Sequence, residues 1–133
     1  MGTVVDTSVL IAVERGQLDP ARLDGEDDDE EVVLSAITAS ELLHGVHRLK
    51  NAVARTRAER VAETTFATFR VIAFDIDIAR VHARLEAELA MRGVSIGTAD
   101  LMIAATAVWL DYRIATRDLR SFPKIRGLHV VRW

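Results

Sequence analysis

The chain has 133 residues, half of them hydrophobic, with a net charge of −3 and no cysteine. That length matches one compact domain, 1–133, with a real core, while the missing cysteine excludes disulfide scaffolds, thiolate metal sites and cysteine nucleophiles and fits a reducing cytoplasm. The charge is segregated: residues 19–31, "DPARLDGEDDDEE", hold eight carboxylates against Arg22, and the remainder has 16 basic and 12 acidic residues, a mildly basic body able to attract a polyanion.

The chain opens on "TVV" at 3–5, a short β-branched strand, with no basic segment or apolar run of the secretory kind before it. "DTSVLIAVERG" comes next, a helix capped by Thr7 or Ser8 and ending near Gly16. The acidic run then reads as a solvated loop, because like charges repel and stay exposed. "VVLSAI" at 32–37 is a second strand, and Thr38 caps the helix opened by "TASELLHGVHRL". A third helix covers 51–68 with Arg55, Arg57 and Arg60, and "RVIAFD" at 70–75 is a third strand.

From Asp77 to Arg92 the apolar residues Ile78, Val81, Leu85 and Leu89 recur at helical spacing, and Gly93 suits a left-handed stop. The next helix is apolar all round: between Leu101 and Leu110 only Thr106 is polar, yet Asp100 stands at its entrance. "RIAT" at 113–116 and "LHVVRW" at 128–133 complete five strands. Strands alternating with helices imply an α/β class, a helix-covered and mainly parallel sheet. No apolar run reaches the roughly 20 residues that cross a bilayer, so no membrane partner is expected.

Four carboxylates stand where a strand ends or a helix begins: Asp6, Glu41, Asp100 and Asp118. In a parallel sheet all strand carboxyl ends share one edge, where ligands collect, so residues far apart in sequence can meet there. Each also has a local reading: Glu41 lies three places after Thr38 as in a capping box, Asp100 sits in a first turn, and Asp6 and Asp118 can cap the segments "TSVLI" and "LRSF" after them. Capping alone does not account for Asp6 and Asp100 adjoining the most apolar segments. Converging carboxylates repel, and an all-oxygen set selects a hard divalent cation, Mg²⁺ with Mn²⁺ as substitute, over zinc. His44 and His47 share a helix face without a third ligand, and His82 and His129 stand alone, so a carboxylate site is favoured over a histidine one.

The segments "VVDTSVLIA", "SAITASELLHGV", "IGTADLMIAATAV" and "IATRDLRSFPKIRGLHVV", in that order, resemble the PIN-domain ribonucleases and specifically the VapC toxins of toxin–antitoxin pairs. The resemblance implies a three-layer α/β/α Rossmann-like fold with a sheet of four to five strands and Mg²⁺-dependent endoribonuclease activity on RNA. It also implies a VapB-like cognate antitoxin and a homodimer. It carries Asp6, Glu41, Asp100 and Asp118 over as catalytic, metal-site carboxylates, with Thr116 as a supporting group.

The expected chemistry is in-line attack on phosphorus by a water that the cation acidifies. Asp6 and Asp100 would bind the cation directly, while Glu41 and Asp118 would bind it through waters or orient the attacking water. Arg117, Arg120 and Lys124 flank Asp118 and can hold RNA phosphates or serve as ordinary charged surface. Two alternatives are an inactive PIN-like binding scaffold and a haloacid-dehalogenase-like phosphatase, the latter disfavoured because Ser8 stands where a second Asp is required. A receiver domain is disfavoured too, since Asp75 could mimic its phosphoacceptor but no Lys fits after a later strand.

Overall fold

A computed structural model describes residues 1–133. Strands β1 (Gly2–Val5), β2 (Glu31–Ser35), β3 (Arg70–Ile72), β4 (Arg113–Thr116) and β5 (Val130–Arg132) form one sheet in the order β3-β2-β1-β4-β5. Every pairing is parallel, including Val4 with Val33 and Val4 with Ile114. Five helices cover it: α1 (Thr7–Glu14), α2 (Ala36–His47), α3 (Ala52–Thr68), α4 (Ile76–Met91) and α5 (Thr98–Leu110). No helix is long and apolar enough to cross a membrane.

Alternation along the strands builds a core on each face. Val4, Val33 and Ile114 join Ile78, Leu85 and Leu89 of α4, Leu101 and Ile103 of α5, and Phe122 and Ile125. Their chain neighbours Val5, Leu34 and Ala115 point the other way, onto Val9 and Leu10 of α1 and onto Trp133. β1 is buried throughout because it is the middle strand with helices on both sides. The three-layer α/β/α expectation therefore holds.

Several element boundaries differ from those expected. β2 stops at Ser35 rather than residue 37, and Ser35, not Thr38, caps α2 by accepting a hydrogen bond from the Ile37 amide at 3.1 Å. Thr38 is instead fully buried inside the helix. α1 has Asp6 at its N-cap position in place of Thr7 or Ser8, and the Asp6 side chain makes no capping bond. β3 ends at Ile72 because Asp75 caps α4 through the Ile78 amide at 3.0 Å. β5 is confined to 130–132, and the acidic segment contains a short 3₁₀ helix at Pro20–Asp24. Gly93 has φ +66°, the left-handed stop expected after α4.

Glu26, Glu30 and Glu31 of that acidic segment are tied down, while Asp24 and Asp27 to Asp29 stay exposed. Arg113, the first residue of β4, donates to Glu30 at 2.7 and 3.1 Å, to Thr3 at 2.8 Å and to Glu26 at 3.1 Å. Thr3 donates to Glu30 as well, and Tyr112 donates to Glu31, which also pairs with Arg70 at 3.2 Å. All these partners cluster at the amino ends of the strands.

Candidate active site

The opposite edge of the sheet carries the acids singled out in the sequence. The chain runs from β1 outward to β2 and β3, then returns to the other side of β1 for β4 and β5, so the winding reverses between β1 and β4. Ligands collect outside the carboxyl ends of strands at such a point. Asp6 follows β1 directly and Thr116 ends β4, and the Asp6 amide donates to the Ala115 carbonyl at 2.9 Å, which locks the two strand ends together.

Asp6 is 5% exposed and its carboxylate is held rigidly. Oδ2 accepts from the Ser8 hydroxyl at 2.7 Å and from the Thr116 hydroxyl at 2.9 Å. No hydrogen bond reaches Oδ1. Ser8 Oγ also accepts from the Arg117 amide at 3.0 Å, and Thr116 Oγ1 from the Asp118 amide at 3.0 Å. Two hydroxyls thus fix both the carboxylate and the backbone turn after β4. Thr116, the supporting group that the resemblance implies, lies against Asp6. Sequence alone marks Ser8 only as a helix cap, although its position two residues after Asp6 is an available signal.

Asp100 lies in the first turn of α5. Burial raises its pKa above the usual carboxylate value; the Ser121 side chain tempers this, and the negative charges of Asp6 and then Asp118 add to it, with Arg120 opposing. Asp6, Asp100 and Asp118 therefore share one electrostatic neighbourhood, although 113 positions separate the first from the last, counted inclusively. Ser121 carries no sequence signal, because nothing local marks it as facing α5.

Glu41 stands at the rim. It is exposed on α2 and accepts from the Thr7 hydroxyl at 2.8 Å, so it meets the site through the residue after Asp6. The capping-box reading fails, since Thr38 is not the cap.

Asp118 is engaged by its own loop. Arg120 donates Nε to Oδ1 and Nη2 to Oδ2, each at 2.9 Å, and its amide donates to Oδ1 at 3.0 Å. Those hydrogen bonds, the side-chain ones first, bring the Asp118 pKa down to about 2. Of the other cations near it in sequence, Arg117 turns away to the Trp133 carbonyl at 3.1 Å, and Lys124 is exposed on a 3₁₀ turn at Phe122–Lys124.

The donor chemistry fits a hard divalent cation: oxygen only and partly buried, with the Asp100 pKa raised by burial first and by its neighbours' charge second. As the side chains stand, no three carboxylate or imidazole groups surround a common point. Asp6 and Asp100 are the two more enclosed acids and have no ion-pair partner, and Mg²⁺ takes one or two carboxylates, filling its shell with water and substrate phosphate. His44, His47 and His129 are exposed and join no such group, and His82 packs edge-on against Phe74.

Beside Thr7 and Glu41 opens a cavity of about 500 Å³ lined by α1, α2 and α3, with Leu10, Leu42, Val46, Val61 and Ala62 among its apolar walls.

Comparison with known proteins agrees with this architecture. The PIN domain family matches residues 3–128. Ribonuclease VapC1 of Rickettsia felis is 33% identical over 98% of this chain and 96% of its own. The crystal structure of VapBC2 from Rickettsia felis, bound to a promoter DNA fragment, superposes with a TM-score of 0.89 at 21% identity, covering 100% and 99% of the two chains, which shows the shared fold. VapBC-5 from Mycobacterium tuberculosis, a member of the VapBC family of toxin–antitoxin systems, superposes at 0.79 with 32% identity over 99% and 98%. A parallel sheet with acids gathered at its reversal point, and these likenesses across nearly the whole chain, place it in the PIN-domain family of VapC ribonucleases.

Proposed function

We propose that this chain is the toxin of a two-protein toxin–antitoxin system, an endoribonuclease that hydrolyses RNA phosphodiester bonds with Mg²⁺, for which Mn²⁺ can substitute. One observation carries the reading: Asp100 is held above its ordinary pKa by burial and by the charges of Asp6 and Asp118, at the point where the sheet reverses its winding. Like charges beside a buried carboxylate are costly unless a cation or substrate uses them.

Asp6 and Asp100 would hold the cation, with Asp6 oriented by Ser8 and Thr116 through one oxygen and presenting the other. The cation supplies charge that acidifies a water and steadies the departing 3′ oxygen. Glu41, exposed and held by the Thr7 hydroxyl, would accept a proton from that water. Arg120 and Lys124 are exposed cations beside Asp118 and would hold RNA phosphates. Arg117 is less available, being tied to Trp133.

The apolar cavity between α1, α2 and α3 is the surface we assign to the VapB-like antitoxin, which would close the site from the side of Thr7 and Glu41. The VapBC description of a relative supports such a partner, and a cytoplasmic setting is proposed from the family resemblance and the absence of cysteine. A homodimer is proposed from the family resemblance alone. Incubating the purified chain with total RNA, with and without Mg²⁺, and mapping the cut ends tests activity and cofactor together. Intact RNA under both conditions would favour the inactive-scaffold alternative.

A further inference from the structure

Arg120 is the single basic side chain in ion-pair contact with any of the four site carboxylates. It grips both oxygens of Asp118, and its charge also opposes the upward shift at Asp100. The guanidinium side chain is nevertheless 89% exposed, on an irregular segment between β4 and the turn at Phe122–Lys124. Its contact is therefore well formed but cheap to break, since an exposed ion pair is held weakly against water and salt.

We propose that Arg120 is the exchangeable counter-cation of this pocket: it holds Asp118 until a divalent cation takes a share of that carboxylate, and the freed guanidinium then grips substrate phosphate. The inference rests on the cation site proposed above and extends it. Geometry supports each half. While the Arg120 guanidinium and amide take three of the roughly four acceptor positions of the Asp118 carboxylate, little of it is left for a cation, and no three-carboxylate cluster is present. The face of the guanidinium that meets the carboxylate, with Nε and one Nη as parallel donors, is the same face that matches two phosphate oxygens. Sequence gives the third element, because a two-residue spacing between Asp118 and Arg120 keeps the displaced cation within its own loop's reach of the pocket.

The exchange predicts opposite effects of one substitution. Calorimetric titration of the purified, RNA-free chain with Mn²⁺ at low ionic strength should show Arg120→Gln binding about fivefold more tightly than the native chain. Asp118→Asn should abolish that gain, so that the double variant binds like Asp118→Asn alone. In the cleavage assay Arg120→Gln should raise KM for RNA severalfold while lowering the Mn²⁺ concentration needed for half-maximal rate. A purely structural role for Arg120 would weaken both or move neither. Unchanged or weaker Mn²⁺ binding by Arg120→Gln, with binding lost in Asp100→Asn, overturns the exchange and leaves the cation site standing. Undiminished Mn²⁺ binding by Asp100→Asn overturns the site itself, and the exchange with it.

Discussion

The acidic segment, odd in a chain expected to meet RNA, has a structural use that can be measured through Arg113→Met. The substitution keeps the apolar stem but removes the guanidinium that bonds Glu30, Glu26 and Thr3. Breaking a buried ion pair from one side costs roughly 3–5 kcal/mol, because the remaining charge stays desolvated. The Arg113 and Glu30 side chains keep 14% and 8% exposure, and the Glu26 contact is open to solvent, so the low end, about 3 kcal/mol, applies. At an unfolding entropy of roughly 2.1 cal/mol/K per residue, that lowers Tm by about 10 °C. Burial alone would raise the Glu30 pKa, but hydrogen bonds from the Glu26 amide, Thr3 and Arg113 outweigh it and leave it below the ordinary value. A carboxylate shifted downward stabilises the fold above its unfolded pKa and loses that effect as pH falls through its folded value. The gap between native chain and variant should be full above the unfolded value of 4.5 and close below it. Urea denaturation by circular dichroism at pH 7 and pH 3 measures both, with Arg113→Met/Glu30→Gln completing a double-mutant cycle. A loss under about 1 kcal/mol, or a gap unchanged at pH 3, would refute the latch.

At the other edge, Asp100→Asn should cut RNA hydrolysis by roughly 100-fold or more, because it would weaken the hold on the cation that stabilises charge at the reacting phosphate. The same change should raise the cation-free Tm at pH 7, since a carboxyl whose folded pKa is raised opposes folding when charged; below pH 3.8, where it is protonated in both states, the gain should vanish. Chelation with EDTA should stop cleavage and Mn²⁺ should restore it, and EDTA-resistant cutting would point to a 2′-hydroxyl mechanism instead. Thr116→Val, nearly isosteric and fully buried, removes a hydroxyl shared by Asp6 and the Asp118 amide, and should cost about 1–3 kcal/mol in denaturation and roughly tenfold in kcat with KM little changed.

Local pattern makes the sheet, the helices and the acids Asp6 and Asp100 legible, because alternation, helical spacing and a charge beside apolar residues are properties of neighbours in sequence. Pairing at distance is what pattern does not show. Ser35 and Thr38 are both hydroxyl residues at the edge of an apolar run, and only the end of the β2–β3 ladder, at Ser35 with Ile72, decides which one caps α2. Asp118 reads as a metal-site acid from its position after β4, and what pattern leaves out is that Arg120 grips both of its oxygens. The acidic run reads as solvated, and most of it is exposed; the exceptions are Glu30 and Glu31, whose partners Arg113 and Arg70 lie some 83 and 39 residues away.

Parallel strands explain why both charged clusters can exist in so small a chain. All amino ends fall on one edge and all carboxyl ends on the other, so the latch at Thr3 and Arg113 is separated from the site at Asp6 and Thr116 by the length of β1 and β4. Three residues of strand span roughly 10 Å, about one Debye length at 0.1 M salt. Distance therefore weakens the coupling between the two clusters. The site can carry uncompensated carboxylates, with the stability they forfeit, because the bonds that secure β1 to β4 at the far edge involve none of its atoms. A cation entering at Asp6 and Asp100 would relieve the repulsion where it arises, so its binding should add stability to a fold already closed at the other end.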